Sequence, residues 1–201
     1  MNKRLATAFL MLVLAVSVGC GGLPKTHYYI VESPHVHSSG EAVISKVIMV
    51  DRFRANRVLQ EDRILYRQNE NEVNYYEYER WTSPPVDLVT NYFLHHLKDS
   101  AAYANVSSTR DIEKADYKLR GRLRRFEEAD RGKQVSAEVA LEVELVDART
   151  GQGLWRGEEE CSRPITVRTV AAVVQGIQQC LDDTANKLLN SMQDRILKKR
   201  E

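Results

Sequence analysis

Three cysteines, five prolines and ten glycines are all that 201 residues contain of those types. The thiols form no zinc signature, and no glycine falls in a phosphate loop, a dinucleotide turn or a nucleophile elbow. These absences give no reason to expect an enzyme, a cofactor or a metal site. His35 and His37 stand in a Ser- and Pro-containing loop without a Cys, Asp or Glu cluster at ligand spacing. His95 and His96 are neighbours on a helical pattern, hence about 100° apart, and do not suit a shared metal. Charge of one sign is missing as well: 29 basic residues against 28 acidic ones leave a net +1, which removes the general electrostatic argument for nucleic acid.

Long apolar runs are also missing, with one exception at the start. Met1-Asn2-Lys3-Arg4 is short and positive, and Leu5 to Val18 carries no charge. As a helix that run would rise only ~21 Å, short of the ~30 Å hydrocarbon core, so a cleaved secretory signal is expected rather than a permanent span. The stretch Ser17-Val18-Gly19-Cys20-Gly21-Gly22 resembles a lipobox, although Ser17 stands where the pattern usually has Leu. The resemblance implies cleavage before Cys20, acylation of Cys20 and attachment to a membrane through it; an ordinary signal peptide with a chance cysteine is the alternative. Gly21, in place of Asp, by resemblance to enterobacterial sorting rules points to the periplasmic face of the outer membrane. The expected organisation is a signal peptide over 1–19, a lipidated tether over 20–26 and one domain over 27–201. Removing the signal leaves 182 residues, enough for a single core, with a net charge of −1.

The periodicities predict an α/β domain: a mixed, largely antiparallel β-sheet packed against helices. His27 to Val31 and Ser45 to Val50 read as strands, and Arg63 to Arg67 with Val73 to Tyr78 as a hairpin turning at Asn69-Glu70-Asn71. Trp81-Thr82-Ser83-Pro84-Pro85 ends the hairpin and starts a helix whose apolar stripe is Val86, Val89, Phe93, Leu94, Leu97 and Ala101. Tyr117, Leu119, Gly121 and Leu123 alternate with Lys118, Arg120, Arg122 and Arg124. After a loop at Asp130-Arg131-Gly132, Val135 to Leu145 alternates with Glu138, Glu142 and Glu144 on its polar side. The two charged rows are expected to share a face and neutralise one another, which also pins the register; an anion-binding stripe for lipid headgroups or nucleic acid is the alternative. A turn at 148–151 leads to a further strand from Leu154 to Glu160. The last element is a helix over about 169–197 that spans roughly 40 Å at ~1.5 Å per residue, and either bends near Gly176 or projects beyond the core.

Cys161 and Cys180 remain once Cys20 is acylated, and an even pair in an oxidising compartment invites a disulfide, with two buried thiols as the alternative. Tyr75, Tyr76, Tyr78 and Trp81 concentrate aromatic surface in one strand and are candidate partner-docking residues, with core packing as the competing reading.

Tyr28-Tyr29-Ile30, Asp62-Arg63-Ile64 with Arg67, Tyr78 followed by Arg80-Trp81 and Pro84-Pro85, Ala115-Asp116-Tyr117 with Leu119 and Gly121, and Gly151 with Leu154-Trp155 occur in that order. In these residues the chain resembles the ABC-type transport auxiliary lipoproteins, the family that contains the lipoprotein component of the Pqi lipid-transport system. The resemblance implies an α/β domain with a mixed sheet and helices. It also implies an accessory role beside an ABC permease and ATPase and a substrate-binding MCE protein, moving lipids or other apolar compounds between membranes, with a homo-oligomer as a further option. It carries no catalytic residues. An autonomous periplasmic ligand-binding protein or hydrolase is the alternative function.

Overall fold

A computed structural model describes residues 24–34, 44–108 and 115–198. In chain order the elements are β1 (His27–Tyr29), β2 (Ile44–Val50), β3 (Arg54–Ala55), a 3-10 turn (Arg57–Leu59), β4 (Arg63–Asn69), β5 (Glu72–Trp81), α1 (Pro85–Asp99), β6 (Tyr103–Ser108), β7 (Tyr117–Asp130), β8 (Val135–Asp147), β9 (Gly153–Ile165) and α2 (Val170–Lys198). The nine strands form a single sheet.

β7 organises that sheet. On one edge it pairs antiparallel with β8 over nearly its whole length, and β8 pairs in the same way with β9. The alternation dictates which side faces in: Leu119, Leu123 and Phe126 of β7 and Val135, Ala137, Val139, Leu141, Val143 and Leu145 of β8 are all buried. The other edge of β7 is shared by three short parallel partners. Ile48 to Val50 lie against Tyr117 to Leu119, Arg54 and Ala55 against Arg122 and Leu123, and Tyr66 and Arg67 against Glu128 and Ala129. β6 extends the sheet beyond β2, and β5 followed by β1 extends it beyond β4. The sheet is therefore mixed: the long ladders are antiparallel, and most of the short pairings are parallel.

Gly121 faces the interior, where a Cβ would come within 2.2 Å of the Phe53 ring. Its missing side chain lets Phe53 enter the core beside Phe93, with ring centroids 5.0 Å apart. β6 was not anticipated by alternation. Its six residues hold only Tyr103 and Val106 as large apolar groups, both buried, and it is fixed by parallel pairing with β2.

Both helices cover the apolar face. α1 begins with Pro85 in its first turn and buries Val86, Val89, Phe93 and Leu97, as the spacing predicts, and Leu88 and Tyr92 in addition. Ala101 falls outside the helix, because its φ of 47° ends the stripe that the spacing extended to it. α2 runs antiparallel to β9: Gly176 approaches Ile165 and Ala137, Lys187 lies near Glu159, and Leu188 reaches Gly157. A Cβ at Gly176 would be 2.8 Å from that of Ala137, so the glycine marks a close approach to the sheet. Buried residues continue from Val173 to Ile196, hence the helix stays on the core instead of projecting. The Tyr92 hydroxyl donates to Asp182 at 2.6 Å and ties the two helices together.

Candidate functional site

The aromatic segment of β5 divides once it is folded. Trp81 is 1% exposed and packs on Phe126 with centroids 5.1 Å apart, so it is a core residue and leaves the docking set. Tyr75 is half-buried, lies under the Arg63 guanidinium at 4.1 Å and donates to the Val58 carbonyl. Tyr76 packs at a tilt against Tyr66 and donates to Glu128 at 2.8 Å. Tyr78 alone of the four is exposed, at 38%; Tyr28 on the neighbouring edge strand, at 63%, and Ile30 just after it, at 52%, are exposed as well. The alternation of tyrosines concealed this division because β5 is irregular. Arg63 faces Arg80 while Leu65 faces Tyr75, so β5 carries extra residues there and loses its simple inside–outside period.

Glu127, Glu128 and Glu138 are buried at the far end of β7 and β8. Arg67 forks onto Glu127 through Nε at 2.7 Å and Nη2 at 3.2 Å, and Arg125 meets Glu138 at 2.9 Å. Burial pushes the Glu128 carboxyl above its ordinary range, against the opposing effect of the Tyr76 hydroxyl. At the near end, Asp116 accepts from the Val47 backbone N–H and from Lys46, each at 2.9 Å, which holds its carboxyl below the usual range. Half-buried His96 is pushed down by burial, in spite of Asp182 and Asp99 nearby. It stacks on Tyr92, whereas its neighbour His95 is exposed. Among the described residues no three His, Cys, Asp or Glu side chains cluster to hold a metal.

The charged rows do share the polar face, with Arg120 opposite Glu144 and Arg122 opposite Glu142. Their neutralisation is different from the expected pattern. A bulge between Leu123 and Arg125 shifts the register, so that Arg125, not Arg124, serves Glu138. Arg120 turns to Asp51 at 3.6 Å, and Glu142 is taken by Arg124 and by Arg156 at 3.3 Å. Arg124 also contacts Glu158. Between β7 and the segment joining β2 to β3 an open groove of about 770 Å³ remains, with Arg54, Lys118 and Arg122 on its walls. Two smaller hollows adjoin it, and Arg122 lines all three. Arg52 and Arg54 escaped the sequence reading, although the alternation of Arg52, buried Phe53 and Arg54 is a short period-two signal.

Cys161 on β9 and Cys180 on α2 have Cα atoms 5.4 Å apart, within the span a disulfide requires. Cys20, His35 and His37 lie outside the described residues.

The sequence profile of the ABC-type transport auxiliary lipoprotein component matches residues 29–188. The chain belongs to this family. Several of the residues that carried the resemblance have roles in the family's architecture here: Asp62 accepts from Arg80 at 2.9 Å, Arg67 neutralises Glu127, and Gly121 admits Phe53. Protein XCC0632 from Xanthomonas campestris has a similar fold, with a TM-score of 0.76 at 21% identity over 87% of this chain and 99% of that one. An uncharacterized protein reaches a TM-score of 0.65 at 12% identity, over 82% and 96% of the two chains. The hypothetical protein CT253 from Chlamydia trachomatis reaches 0.51 at 8% identity, over 76% and 98%. At these identities the likeness concerns the fold alone. No curated protein matches the chain. As a member of the family the chain is an auxiliary lipoprotein of ABC-type transport, and among its described residues no helix is long and apolar enough to cross a membrane.

Proposed function

We propose that residues 1–19 direct export, that Cys20 is acylated, and that residues 20–26 hold the domain close to the periplasmic face of the outer membrane. There it acts as a docking accessory for an MCE protein and an ABC permease and ATPase that move lipids or other apolar compounds between membranes. The observation that carries this reading is the family match, which begins nine residues after Cys20, the cysteine that closely follows the charge-free run Leu5 to Val18. In that oxidising compartment Cys161 and Cys180 close as a disulfide.

The exposed trio of Tyr28, Ile30 and Tyr78 supports a docking role for the β1–β5 edge, since aromatic groups concentrate in the centres of interfaces. The decisive experiment has two parts. Metabolic labelling with a clickable fatty acid is expected for the wild type and not for Cys20→Ala; equal labelling of both removes the anchor. Tyr78→Ala and Tyr28→Ala are expected to melt like the wild type yet to weaken pull-down of the MCE partner by more than ~1 kcal/mol. Absence of any MCE or permease component from wild-type membranes after crosslinking overturns the transport reading.

A further inference from the structure

The cations of the groove are unevenly served. Arg52 is held by Asp87 at 2.5 Å, Arg120 by Asp51, and Arg124 and Arg156 by Glu142. Arg54 and Arg122 form no ion pair among the described residues, nor does Lys118. They are also not scattered. Arg54 and Arg122 are direct partners across the parallel β3–β7 pairing, so both side chains leave the sheet on the same side at adjacent positions. Like charges directly opposite one another destabilise a sheet, and the fold keeps two of them on the walls that two adjoining hollows share. Glu142 is opposite Arg122 on the other strand and would relieve the repulsion, yet it is committed to Arg124 and Arg156. Glu144 also lines the groove, but its register partner is Arg120, one pair of positions farther along.

We infer that the groove at Arg54 and Arg122 is an anion site for a phosphate group, either that of a phospholipid headgroup or that of a soluble phosphate ester. Two guanidinium forks side by side match the tetrahedral, doubly acceptor-rich oxygens of one phosphate, and a local repulsion becomes a shared contact once the anion is seated. Lys118 and Arg120 continue the positive wall at the ~6.6 Å spacing of alternate strand residues, within reach of a second oxyanion or an ester substituent. The wall offers little for an acyl chain. Its apolar members are buried Val143 and Phe53 and half-buried Ala55, so the site takes the charged end of a ligand. This site stands on the groove alone and does not depend on the transport reading.

The test uses the full-length protein in non-ionic detergent, titrated calorimetrically with inorganic phosphate, glycerol 3-phosphate, short-chain phosphatidylglycerol and hexaglutamate. Saturable binding of at least one phosphate probe is expected. The double variant Arg54→Gln/Arg122→Gln should weaken it about tenfold or more, while Arg149→Gln, in the distant β8–β9 turn, should leave it unchanged. Without ligand, the double variant should melt at the same temperature as the wild type or higher, because a repulsion has been removed. Equal binding of glycerol 3-phosphate and the lipid identifies soluble phosphate as the source; binding of the lipid alone identifies the headgroup. Failure of every phosphate probe to saturate, undiminished binding by the double variant, or a lower melting temperature of that variant overturns the site. Tighter binding of hexaglutamate than of any phosphate probe also overturns it and makes the groove a surface for an acidic protein segment.

Discussion

The region from β7 to α2 and the region from β1 to β6 are built on opposite plans. In the first, β7, β8 and β9 follow one another through tight turns and α2 folds back along the last strand, so its ladders join strands that are neighbours in the chain. In the second, short strands reach parallel partners far away in sequence, and β5 pairs with β4 through an irregular register. The difference teaches where stability must be concentrated. The first region can rest on long ladders and one apolar helix face, whereas the second shares the core but reaches the sheet's centre through three short pairings and a few individual polar bonds along one edge of β7.

The largest way to break that comparison is to cut one of those bonds. Arg67→Ala leaves Glu127, 2% exposed, buried without its cation, and is expected to cost about 3–5 kcal/mol in denaturant unfolding. A loss well under 1 kcal/mol would mean that the β4–β7 seam is carried by something else. Next is the staple inside the β7–α2 region. Replacing Cys161 and Cys180 together by Ser should cost about 3 kcal/mol under oxidising conditions, for a closure spanning 19 residues. Two titratable thiols in the denatured, unreduced protein would remove the bond altogether.

Asp116→Ala tests the other end of the seam, where one carboxylate joins β2 to the start of β7, and about 1 kcal/mol is expected because the side chain is more than a third exposed. Since the Asp116 carboxyl is held below its ordinary range, its contribution is present above that range and fades as pH falls through the lowered value. The gap between wild type and variant should therefore close in acid. The smallest effect has the opposite sign. The Glu128 carboxyl is raised by burial, so its ionisation costs stability as pH rises through and above the ordinary glutamate range. Glu128→Gln should be slightly more stable at neutral pH, with the gain gone below that range; a constant gain at all pH values would point to packing instead of charge.

The same contrast explains what the residues alone disclosed. Strict alternation from Tyr117 onward made β7 and β8 readable, because a half-exposed antiparallel strand writes its burial as period two. A single bulged residue was enough to hide which arginine meets Glu138. β6 and β3 were invisible for a different reason: pairing between distant parallel strands leaves no local period, and β3 is two residues long. The candidate sites follow this division. The cysteines sit in the readable half, where a strand end and a helix face could be placed against each other. The phosphate groove needs Arg54 beside Arg122, a juxtaposition that 67 intervening residues conceal. Trp81 ends an irregular strand, and composition could not tell its burial from the exposure of Tyr78 three residues earlier.

One modest contact also ties the segment after the first strand directly to the last helix. The amide of Gln178 both accepts from the Glu32 N–H at 3.0 Å and donates to the Glu32 carbonyl at 2.9 Å, so the segment leaving β1 is clasped by the long helix as if by one more strand residue. Tension entering at Thr26 meets β1 first and then this clasp. From Gln178 the load passes into α2, and two residues later Cys180 faces Cys161 on β9. A pull on Thr26 is thus shared between the β5 ladder and the last helix, whose disulfide hands part of it to the outermost long strand.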